Sequence, residues 1–227
     1  MTTVLIADDQ PLQRMGVRML IEGTPGLHGV GEAEHGAEAV RMAAELRPDV
    51  VLMDIRMPGM DGLEATRIVA AGGRTRILIV TTFDLDEYAY EGLRAGASGF
   101  LLKDARPEEL VAGIRAVATG DAVVAPRLTR RLLDAYAHQV LAPADAPAPD
   151  DPRLRTLSDR EREVLVAVAQ GWTNTEIAEH LVLTESTVKK HVGRVLAKIG
   201  ARDRIQAVIM AYDAGLVRAK PQGPPDL

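Results

Sequence analysis

The stretch DVVLMDIRMPGMDG, residues 49–62, decides the fold that we predict for this chain. Residues 50–53 form a short and continuously apolar run, which is typical of a β-strand buried on both faces. Asp54 follows at once, and a Met-Pro-Gly segment then signals a turn before the next helix. A carboxylate is thus predicted at the carboxyl end of a buried parallel strand, where open α/β sheets bind their ligands. A helix N-cap or a loop-closing hydrogen bond would explain the same residue.

Apolar runs of this kind recur along the first 120 residues and alternate with helical patterns. These runs predict strands at residues 4–7, 50–53, 77–80 and 99–102, and a Gly-rich strand is predicted at 27–33. Helices are predicted at 11–21, 37–46, 62–71, 86–94 and 107–118. A strand and helix alternating five times predict an α/β fold, with a parallel sheet covered by helices on both faces.

The residues that come just after four of these strands are polar or charged. Asp8 and Asp9 follow the first strand, Asp54 the third, Thr81 the fourth and Lys103 the fifth. If these strands are neighbours in the sheet, all five side chains meet at one edge. Unrelated helix caps explain one such residue easily but explain the whole set poorly.

The composition is that of an ordinary soluble protein, with 47% apolar and 26% charged residues over 227 positions. The sequence contains no cysteine, which excludes disulfides and thiolate metal sites and fits a reducing compartment. No apolar run approaches the ~18 residues of a membrane span, and Met1 leads straight into a strand-like run without a signal peptide. We therefore expect a cytoplasmic protein without a membrane partner.

The charges are divided unevenly along the chain. The first 152 residues carry 15 Lys+Arg and 23 Asp+Glu, whereas residues 153–227 carry 12 and 9. An acidic front and a mildly basic rear indicate two domains with different partners. Between them we predict a helix at 126–141 and a Pro/Ala/Asp tether at 142–152, whose composition cannot bury a core and should be extended.

The rear part of the chain is predicted to contain four helices. Capping boxes at residues 158–161 and 173–176 begin the first two helices, Thr184 caps a longer third helix, and Asp203 begins the fourth. The third helix has an apolar stripe and a basic, polar outer side. Two helices joined by a tight turn, the second basic on its outside, are typical of a helix-turn-helix. A solvated basic helix face is the alternative interpretation of these charges.

The front domain resembles the receiver domain of response regulators. The matching segments are LIADD at 5–9, LMDIRMPGMDG at 52–62, VT at 80–81 and AGASGFLLK at 95–103. The resemblance implies a flavodoxin-like, doubly wound sheet of five parallel strands in the order 2-1-3-4-5.

The same resemblance implies a phosphoacceptor site. Asp54 would take a phosphoryl group from a partner sensor histidine kinase, a reaction that carboxylates support. Mg²⁺ would be the cofactor, bound directly by Asp9, Asp54 and the backbone carbonyl of Arg56, and mostly through water by Asp8.

Three further residues take roles in the switch by this resemblance. Lys103 would supply a cation to the acyl phosphate and Thr81 a hydroxyl, and movement of Thr81 would let Phe100 rotate inward. A salt bridge from Lys103 to Asp54 is expected in the resting state. Plain core packing is the alternative role for Phe100.

The rear domain resembles the LuxR-type DNA-binding domain of the NarL/FixJ response regulators. The segments LSDRE at 157–161, NTEIA at 174–178 and TESTVKKHV at 184–192 carry this resemblance. It implies that the third helix enters the major groove of double-stranded DNA, where Lys189 and Lys190 contact bases or nearby phosphates. The expected phosphate contacts are made by Thr184, Ser186, Thr187, Arg194 and Lys198. Gly193 departs from the pattern, since many relatives carry a longer side chain there.

Together the two resemblances predict a two-component response regulator that regulates transcription and is not an enzyme. The domains are predicted at 1–121 and 153–217, with a linker at 122–152 and a disordered tail at 218–227. A homodimer is expected on activation, and RNA polymerase is a further partner that the resemblance allows. A Mg²⁺-dependent phosphohydrolase and a scaffold that needs no phosphorylation are the alternatives. An adjacent Asp pair after the first strand disfavours the hydrolase, and the presence of all five edge residues disfavours the scaffold.

Overall fold

The computed structural model describes residues 1–82, 91–120 and 151–217. The chain divides into two compact units, residues 1–125 and 126–227. None of the helices in the described ranges combines the length and the apolar composition needed to cross a bilayer.

Several predictions made from the sequence fall on the remaining residues. The linker helix at 126–141, nearly all of the tether at 142–152 and the tail at 218–227 lie outside the described residues. The same holds for residues 83–90 of the predicted helix at 86–94, whose last four residues are helical.

Five parallel strands form the sheet of the first unit. They are β1 (Thr2–Ala7), β2 (Leu27–Ala33), β3 (Val50–Met53), β4 (Arg76–Thr81) and β5 (Gly99–Leu102). Their spatial order is β2-β1-β3-β4-β5, and each neighbouring pair is parallel. This confirms the predicted order and places the carboxyl ends of β1, β3, β4 and β5 along one edge.

Helices cover both faces of this sheet. They are α1 (Pro11–Glu22), α2 (Gly36–Leu46), α3 (Gly62–Ala71) and α4 (Pro107–Thr119). One core cluster joins α1 and α4 to alternate strand residues: Val4, Ile6, Ile21, Val50, Leu52, Leu78, Leu110, Ile114 and Val117. The intervening strand residues Leu5, Val51 and Ile77 are also buried and point to the opposite face, since successive strand side chains alternate. Both faces are therefore covered, which explains why residues 4–7, 50–53, 77–80 and 100–102 are continuously apolar.

The helical spacing of apolar residues in α1 does not show which side of the helix is buried. Ile21 is buried and Val17 packs partly against the core cluster. Leu12 is 80% exposed and Met15 is 58% exposed, whereas Arg14 is buried. The buried side of α1 thus runs through Arg14, Val17 and Ile21, at the i, i+3, i+7 spacing of one helix face.

The second unit is helical. After a short 3₁₀ helix at Leu154–Thr156 come α5 (Asp159–Ala169), α6 (Asn174–Leu181), α7 (Glu185–Ile199) and α8 (Arg204–Asp213). One core cluster includes Leu165, Val195, Ile199 and Ala211, and another includes Val164, Ile177 and Val188. The two clusters pack α5 and α7 against α8 on one side and against α6 on the other. This confirms the predicted four-helix domain.

The predicted caps set the boundaries of these helices. Both capping boxes, at 158–161 and 173–176, are formed reciprocally. The backbone N–H of Thr187 donates to Thr184 Oγ1 at 3.3 Å and so caps α7. In the turn between α6 and α7, Val182 adopts a left-handed φ of 54° and is 90% exposed. A β-branched residue is strained in this conformation, so the tight turn is imposed by the packing of the two helices.

Candidate functional site

Three carboxylates converge at the carboxyl edge of the sheet. Asp8 and Asp9 follow β1 and Asp54 follows β3, and one oxygen of each lies within 4.8 Å of the others. The backbone N–H of Asp54 donates to the carbonyl of Ala7 at 2.8 Å, which continues the β1–β3 pairing beyond the strand ends. Asp8 and Asp54 are buried, Asp54 being 4% exposed, whereas Asp9 is exposed. The structure thus brings together carboxylates that lie far apart in the sequence.

The Lys103 side chain bridges two of these carboxylates. Its Nζ lies 2.7 Å from Asp8 Oδ2 and 2.8 Å from Asp54 Oδ2, and the side chain is 5% exposed. The backbone N–H of Lys103 donates to the carbonyl of Thr81 at 2.8 Å, which fixes the start of the loop after β5. The expected salt bridge between Lys103 and Asp54 is therefore present. Because Lys103 pairs with both carboxylates, the loss of either one leaves its buried ammonium with a partner.

Burial and the lysine act in opposite directions on Asp54. Burial disfavours the carboxylate and is the largest effect, the hydrogen bond and charge of Lys103 favour it, and Asp8 disfavours it again. The pKa of Asp54 consequently lies above its ordinary value. Burial lowers the pKa of Lys103, but its hydrogen bonds to Asp54 and Asp8 outweigh this effect and raise that pKa. Lys103 is therefore a permanent cation at neutral pH.

The acidic cluster fits a small divalent cation. Mg²⁺ binds oxygens at ~2.1 Å in an octahedron, so two of its ligands lie about 3 to 4.2 Å apart. Oxygens within 4.8 Å of one another reach this spacing by small side-chain movements. Three carboxylates beside the single ammonium of Lys103 leave a negative excess that a divalent cation neutralises. Asp9, being exposed, leaves room for the waters that Mg²⁺ usually keeps.

An open cleft of about 390 Å³ lies beside this cluster. Its lining consists of Asp9, Ile55, Arg56, Met57, Pro58, Asp61 and Leu63. Arg56 and Asp9 therefore line the same cleft, and Arg56 is exposed. The role of the Arg56 carbonyl as a metal ligand stays a prediction.

The two residues predicted to transmit a switch, Thr81 and Phe100, are fully buried. Within the described ranges, the buried hydroxyl of Thr81 has no hydrogen-bond partner. A buried polar group without a partner costs free energy, so an acceptor delivered to this edge would be stabilised by the Thr81 hydroxyl. Phe100 lies opposite Ile79 in the β4–β5 pairing. Its burial fits core packing, and its role as a switch stays a prediction.

Gly62 lets the loop after Asp54 close tightly. A Cβ at this position would lie 1.8 Å from the carbonyl oxygen of Asp54, which no side chain permits. The Gly62 N–H donates to the carbonyl of Ile55 at 2.8 Å, and Asp61 caps α3 by accepting from the N–H of Glu64. The turn signal in the sequence therefore marks a backbone contact that holds Asp54 at the sheet edge.

The second unit presents a basic and polar surface on the outside of α7. The exposed residues there are Thr184, Ser186, Lys189, Lys190, Arg194 and Lys198, and Thr187 is half-buried. On the opposite side Val188, Val195 and Ile199 are buried, as the apolar stripe predicts. At the amino end of α7, Thr184 Oγ1 lies 3.0 Å from Ser186 Oγ and 2.9 Å from Thr187 Oγ1. These hydroxyls are thus held together beside the lysines.

Lys198 is held by an ion pair inside the domain. Its Nζ lies 2.6 Å from Glu161 Oε2 and donates to the carbonyl of Thr156 at 3.1 Å. Glu161 also accepts from the N–H of Ser158 at 2.8 Å. The hydrogen bond from Lys198, aided by that from the Ser158 backbone, lowers the pKa of Glu161 to about 2. Lys198 therefore ties the end of α7 to the start of α5, and its phosphate contact stays a prediction.

Comparison with known proteins agrees with this architecture. Residues 4–115 match the response regulator receiver domain, and residues 155–211 match the bacterial regulatory proteins of the luxR family. The chain is 43% identical to the uncharacterized transcriptional regulatory protein YxjL of Bacillus subtilis (strain 168), with 95% of this chain and 97% of YxjL covered. The chain belongs to the LuxR-type two-component response regulators.

Two further relatives extend across both domains of this response regulator. The nitrate/nitrite response regulator protein NarL of Escherichia coli (strain K12) is 35% identical, covering 92% of this chain and 94% of NarL. The crystal structure of the response regulator ChrA of a heme-sensing two-component system is 32% identical, covers 95% of this chain and 98% of ChrA, and has a TM-score of 0.50. The predicted pair of domains and their order are confirmed, so this response regulator is a DNA-binding transcription regulator.

Gly193 lies on the outer surface of α7, and the fold of this response regulator gives no reason for a glycine there. The residue is exposed in mid-helix, and a Cβ at this position would meet no atom within 4 Å. Glycine destabilises a helix interior by about 1 kcal/mol relative to alanine. Position 193 is thus a place where a side chain is absent without a packing reason.

Two contacts of this response regulator are absent from the sequence-based predictions. Arg14 contacts the backbone of Asp8 beside the acidic cluster, and Glu161 holds Lys198 in addition to its capping function. The sequence contains no signal for the first, because the spacing of apolar residues in α1 does not show that Arg14 lies on the buried side. Glu161 already completes a capping box with Ser158, so the sequence contains no signal for its contact with Lys198.

The ion pair of Glu161 should make the stability of the DNA-binding domain depend on pH. Its pKa of about 2 lies below the ordinary ~4.3 of an unfolded glutamate, so ionised Glu161 stabilises the fold above pH ~4.3. This stabilisation should be lost as the pH falls towards 2. We expect Glu161→Gln to lower the thermal midpoint at pH 6 and to unfold at the same temperature as the wild type near pH 2.

Trp172 gives a direct measurement of this effect. It is the one tryptophan of the chain and lies between α5 and α6, so its fluorescence follows unfolding of this domain alone. Glu163→Gln is the matched control, because Glu163 pairs with Arg160 at the exposed surface of the same helix, where ion pairs contribute little. Parallel pH profiles for Glu161→Gln and the wild type would contradict the assignment.

Proposed function

We propose that phosphorylation of Asp54 switches DNA binding through α7. The observation that carries this proposal is the arrangement at the carboxyl edge of the sheet. There the carboxylates of Asp8, Asp9 and Asp54 lie within 4.8 Å of one another, and the buried Lys103 ammonium bridges two of them. A nucleophile, a cation site and a fixed positive charge are thus in contact.

The transfer step uses Asp54 as a nucleophile. A carboxylate oxygen of Asp54 forms a bond to phosphorus while the P–N bond of the partner kinase's phosphohistidine breaks, and the released imidazole nitrogen takes up a proton. Phosphoryl transfer needs positioning and charge neutralisation more than covalent assistance. Lys103 supplies a cation beside the acceptor oxygen, and Asp54 is fixed through its backbone bond to Ala7.

Mg²⁺ is the cofactor that we propose for this step. Asp8, Asp9 and Asp54 would hold it, with the Arg56 carbonyl as a further ligand. When bound, the ion neutralises the charge that builds up between carboxylates and phosphate. The Thr81 hydroxyl, which lacks a hydrogen-bond partner within the described ranges, would move towards the phosphate and donate to one of its oxygens. Phe100 would transmit this movement of Thr81 by rotating inward.

The output domain would bind double-stranded DNA with the outer surface of α7 in the major groove. Lys189 and Lys190 are the proposed contacts to bases or adjacent phosphates. The proposed phosphate contacts are Thr184, Ser186, Thr187, Arg194 and Lys198. A homodimer would place two such helices on paired half-sites, and RNA polymerase is a further proposed partner.

In this proposal the chain is a regulator that catalyses only its own phosphoryl transfer and dephosphorylation. The proposed domains are residues 1–121 and 153–217, joined by a linker at 122–152. A sensor histidine kinase would supply the phosphoryl group.

Labelling of the full chain with acetyl phosphate tests the proposal. We expect one phosphoryl group per chain in the presence of Mg²⁺ and none in its absence, located at Asp54 by peptide mass mapping. Labelling should also raise the affinity for DNA fragments selected from random duplexes. Incorporation at another residue, or incorporation that does not require Mg²⁺, would overturn the site. Catalytic turnover of a free phosphoester would instead identify a phosphohydrolase.

A further inference from the structure

Arg14 is a buried arginine beside the acidic cluster. It lies on the inner side of α1 and is 6% exposed. Arginine is almost never buried to this extent unless its charge is paired. Its contacts therefore show what the fold uses it for.

The guanidinium of Arg14 connects α1 to the residue after β1 and to the carboxyl end of β2. Its Nη1 donates to the backbone carbonyl of Asp8 at 2.7 Å, and its Nη2 donates to Glu34 Oε1 at 2.6 Å. Its Nε lies 3.6 Å from Glu32 Oε2, at the carboxyl end of β2. The two glutamates balance the charge of Arg14. The planar guanidinium also directs one N–H, on Nη1, at the backbone carbonyl of Asp8.

That carbonyl belongs to the peptide bond between Asp8 and Asp9. A peptide bond is planar, so fixing the direction of its carbonyl also fixes the direction in which the chain enters Asp9. Asp8 is fixed by other contacts, since its Oδ1 accepts from the N–H of Gln10 at 2.9 Å and its Oδ2 binds Lys103. The side chain of Asp9 is exposed, so its position depends on its backbone.

We propose that Arg14 is a positioning residue for the divalent cation, acting through the Asp8 carbonyl. It holds the Asp8–Asp9 peptide in the orientation that aims both carboxylates at Asp54, so the ion binds without backbone reorganisation. This inference rests on the proposed magnesium site. Groups that orient metal ligands typically change metal affinity by about 10- to 100-fold when they are removed.

Arg18 provides a matched control on the same helix. Its Nη1 lies 2.6 Å from Glu32 Oε1, and its side chain is 54% exposed. Arg14→Gln and Arg18→Gln therefore each remove one positive charge and one neighbour of Glu32. Only Arg14→Gln removes the hydrogen bond to the Asp8 carbonyl.

The test is a Mg²⁺ titration of the isotope-labelled full chain, followed by amide shifts in the NMR spectrum. We expect Arg14→Gln to raise the dissociation constant about 10- to 100-fold and Arg18→Gln to change it less than about twofold. With acetyl phosphate, the labelling rate of Arg14→Gln should recover towards the wild-type rate as Mg²⁺ is raised to saturation. A purely structural role would lower the melting temperature without this recovery.

Arg14→Lys keeps the test decisive if Arg14→Gln does not fold. Lysine retains the charge opposite Glu34 but lacks the fork that reaches two acceptors at once. A folded Arg14→Gln or Arg14→Lys variant with the wild-type Mg²⁺ affinity would overturn the inference. Absence of Mg²⁺ binding in the wild type would overturn the magnesium site as well, so the two failures are distinguishable.

Discussion

Replacing Asp54 with alanine should abolish the Mg²⁺-dependent labelling of this response regulator by acetyl phosphate. The variant lacks the nucleophilic oxygen, and neither remaining carboxylate of the cluster occupies its place at the end of β3. Asp9 is exposed, and Asp8 is turned towards Lys103 and the N–H of Gln10. We therefore expect labelling to fall to the background level rather than to move to another residue.

The fold should survive this substitution. Lys103 keeps Asp8 as a partner at 2.7 Å, so its buried ammonium is not left unpaired. The hydrogen bond from the backbone N–H of residue 54 to the carbonyl of Ala7 does not depend on the side chain. Far-UV circular dichroism and the melting temperature measure this separately from labelling.

Asp104→Ala is the matched control for the loss of a carboxylate. Asp104 follows Lys103 directly and is exposed, and this variant should be labelled like the wild type. Asp54→Asn keeps the size and polarity of the side chain and should also fail to be labelled. Wild-type incorporation in a folded Asp54→Ala chain would rule out Asp54 as the phosphoacceptor.

Replacing Lys189 and Lys190 together with alanine should weaken DNA binding strongly and flatten its dependence on salt. Both residues are exposed on the outer surface of α7, and neither contributes to the core of the domain. Each contact to a base is worth ~1–3 kcal/mol and each phosphate contact contributes about 0.9 to the slope of log K against log salt. We expect a loss of affinity of at least about tenfold, and a slope reduced by up to ~1.8.

Fluorescence anisotropy with a labelled duplex at several salt concentrations gives both quantities. A chain with Arg67→Ala and Arg74→Ala is the control, because it loses the same net charge from exposed positions in the receiver domain. That control should bind DNA like the wild type. If the slope of the Lys189→Ala and Lys190→Ala chain equals that of the wild type, these lysines do not contact DNA phosphates.

The sequence predicts the sheet well because its strands are covered on both faces. Buried parallel strands appear as short apolar runs that end at Gly, Pro or charged residues, and the ranges 50–53 and 99–102 are predicted with their observed limits. The convergence of Asp8 and Asp54 follows from the same rule, since parallel strands end at a common edge. The helices of the second domain begin at caps that can be recognised locally.

The contacts that the sequence does not predict depend on how helices are rotated against their neighbours. α1 carries apolar residues on several sides, so spacing alone does not distinguish the exposed Leu12 from the buried Arg14. The partnership of Glu161 with Lys198 joins residues from different helices, and each residue has a simpler local explanation. A turn signal in the sequence does not specify how closely Gly62 approaches the carbonyl of Asp54.

The open space around Gly193 has an evolutionary consequence. Almost any replacement there is compatible with the packing of α7, and most residues would favour its helical conformation more than glycine does. On the proposed docking of α7 in the major groove, a single codon change here would give a gene duplicate a different operator preference without first passing through an unstable protein.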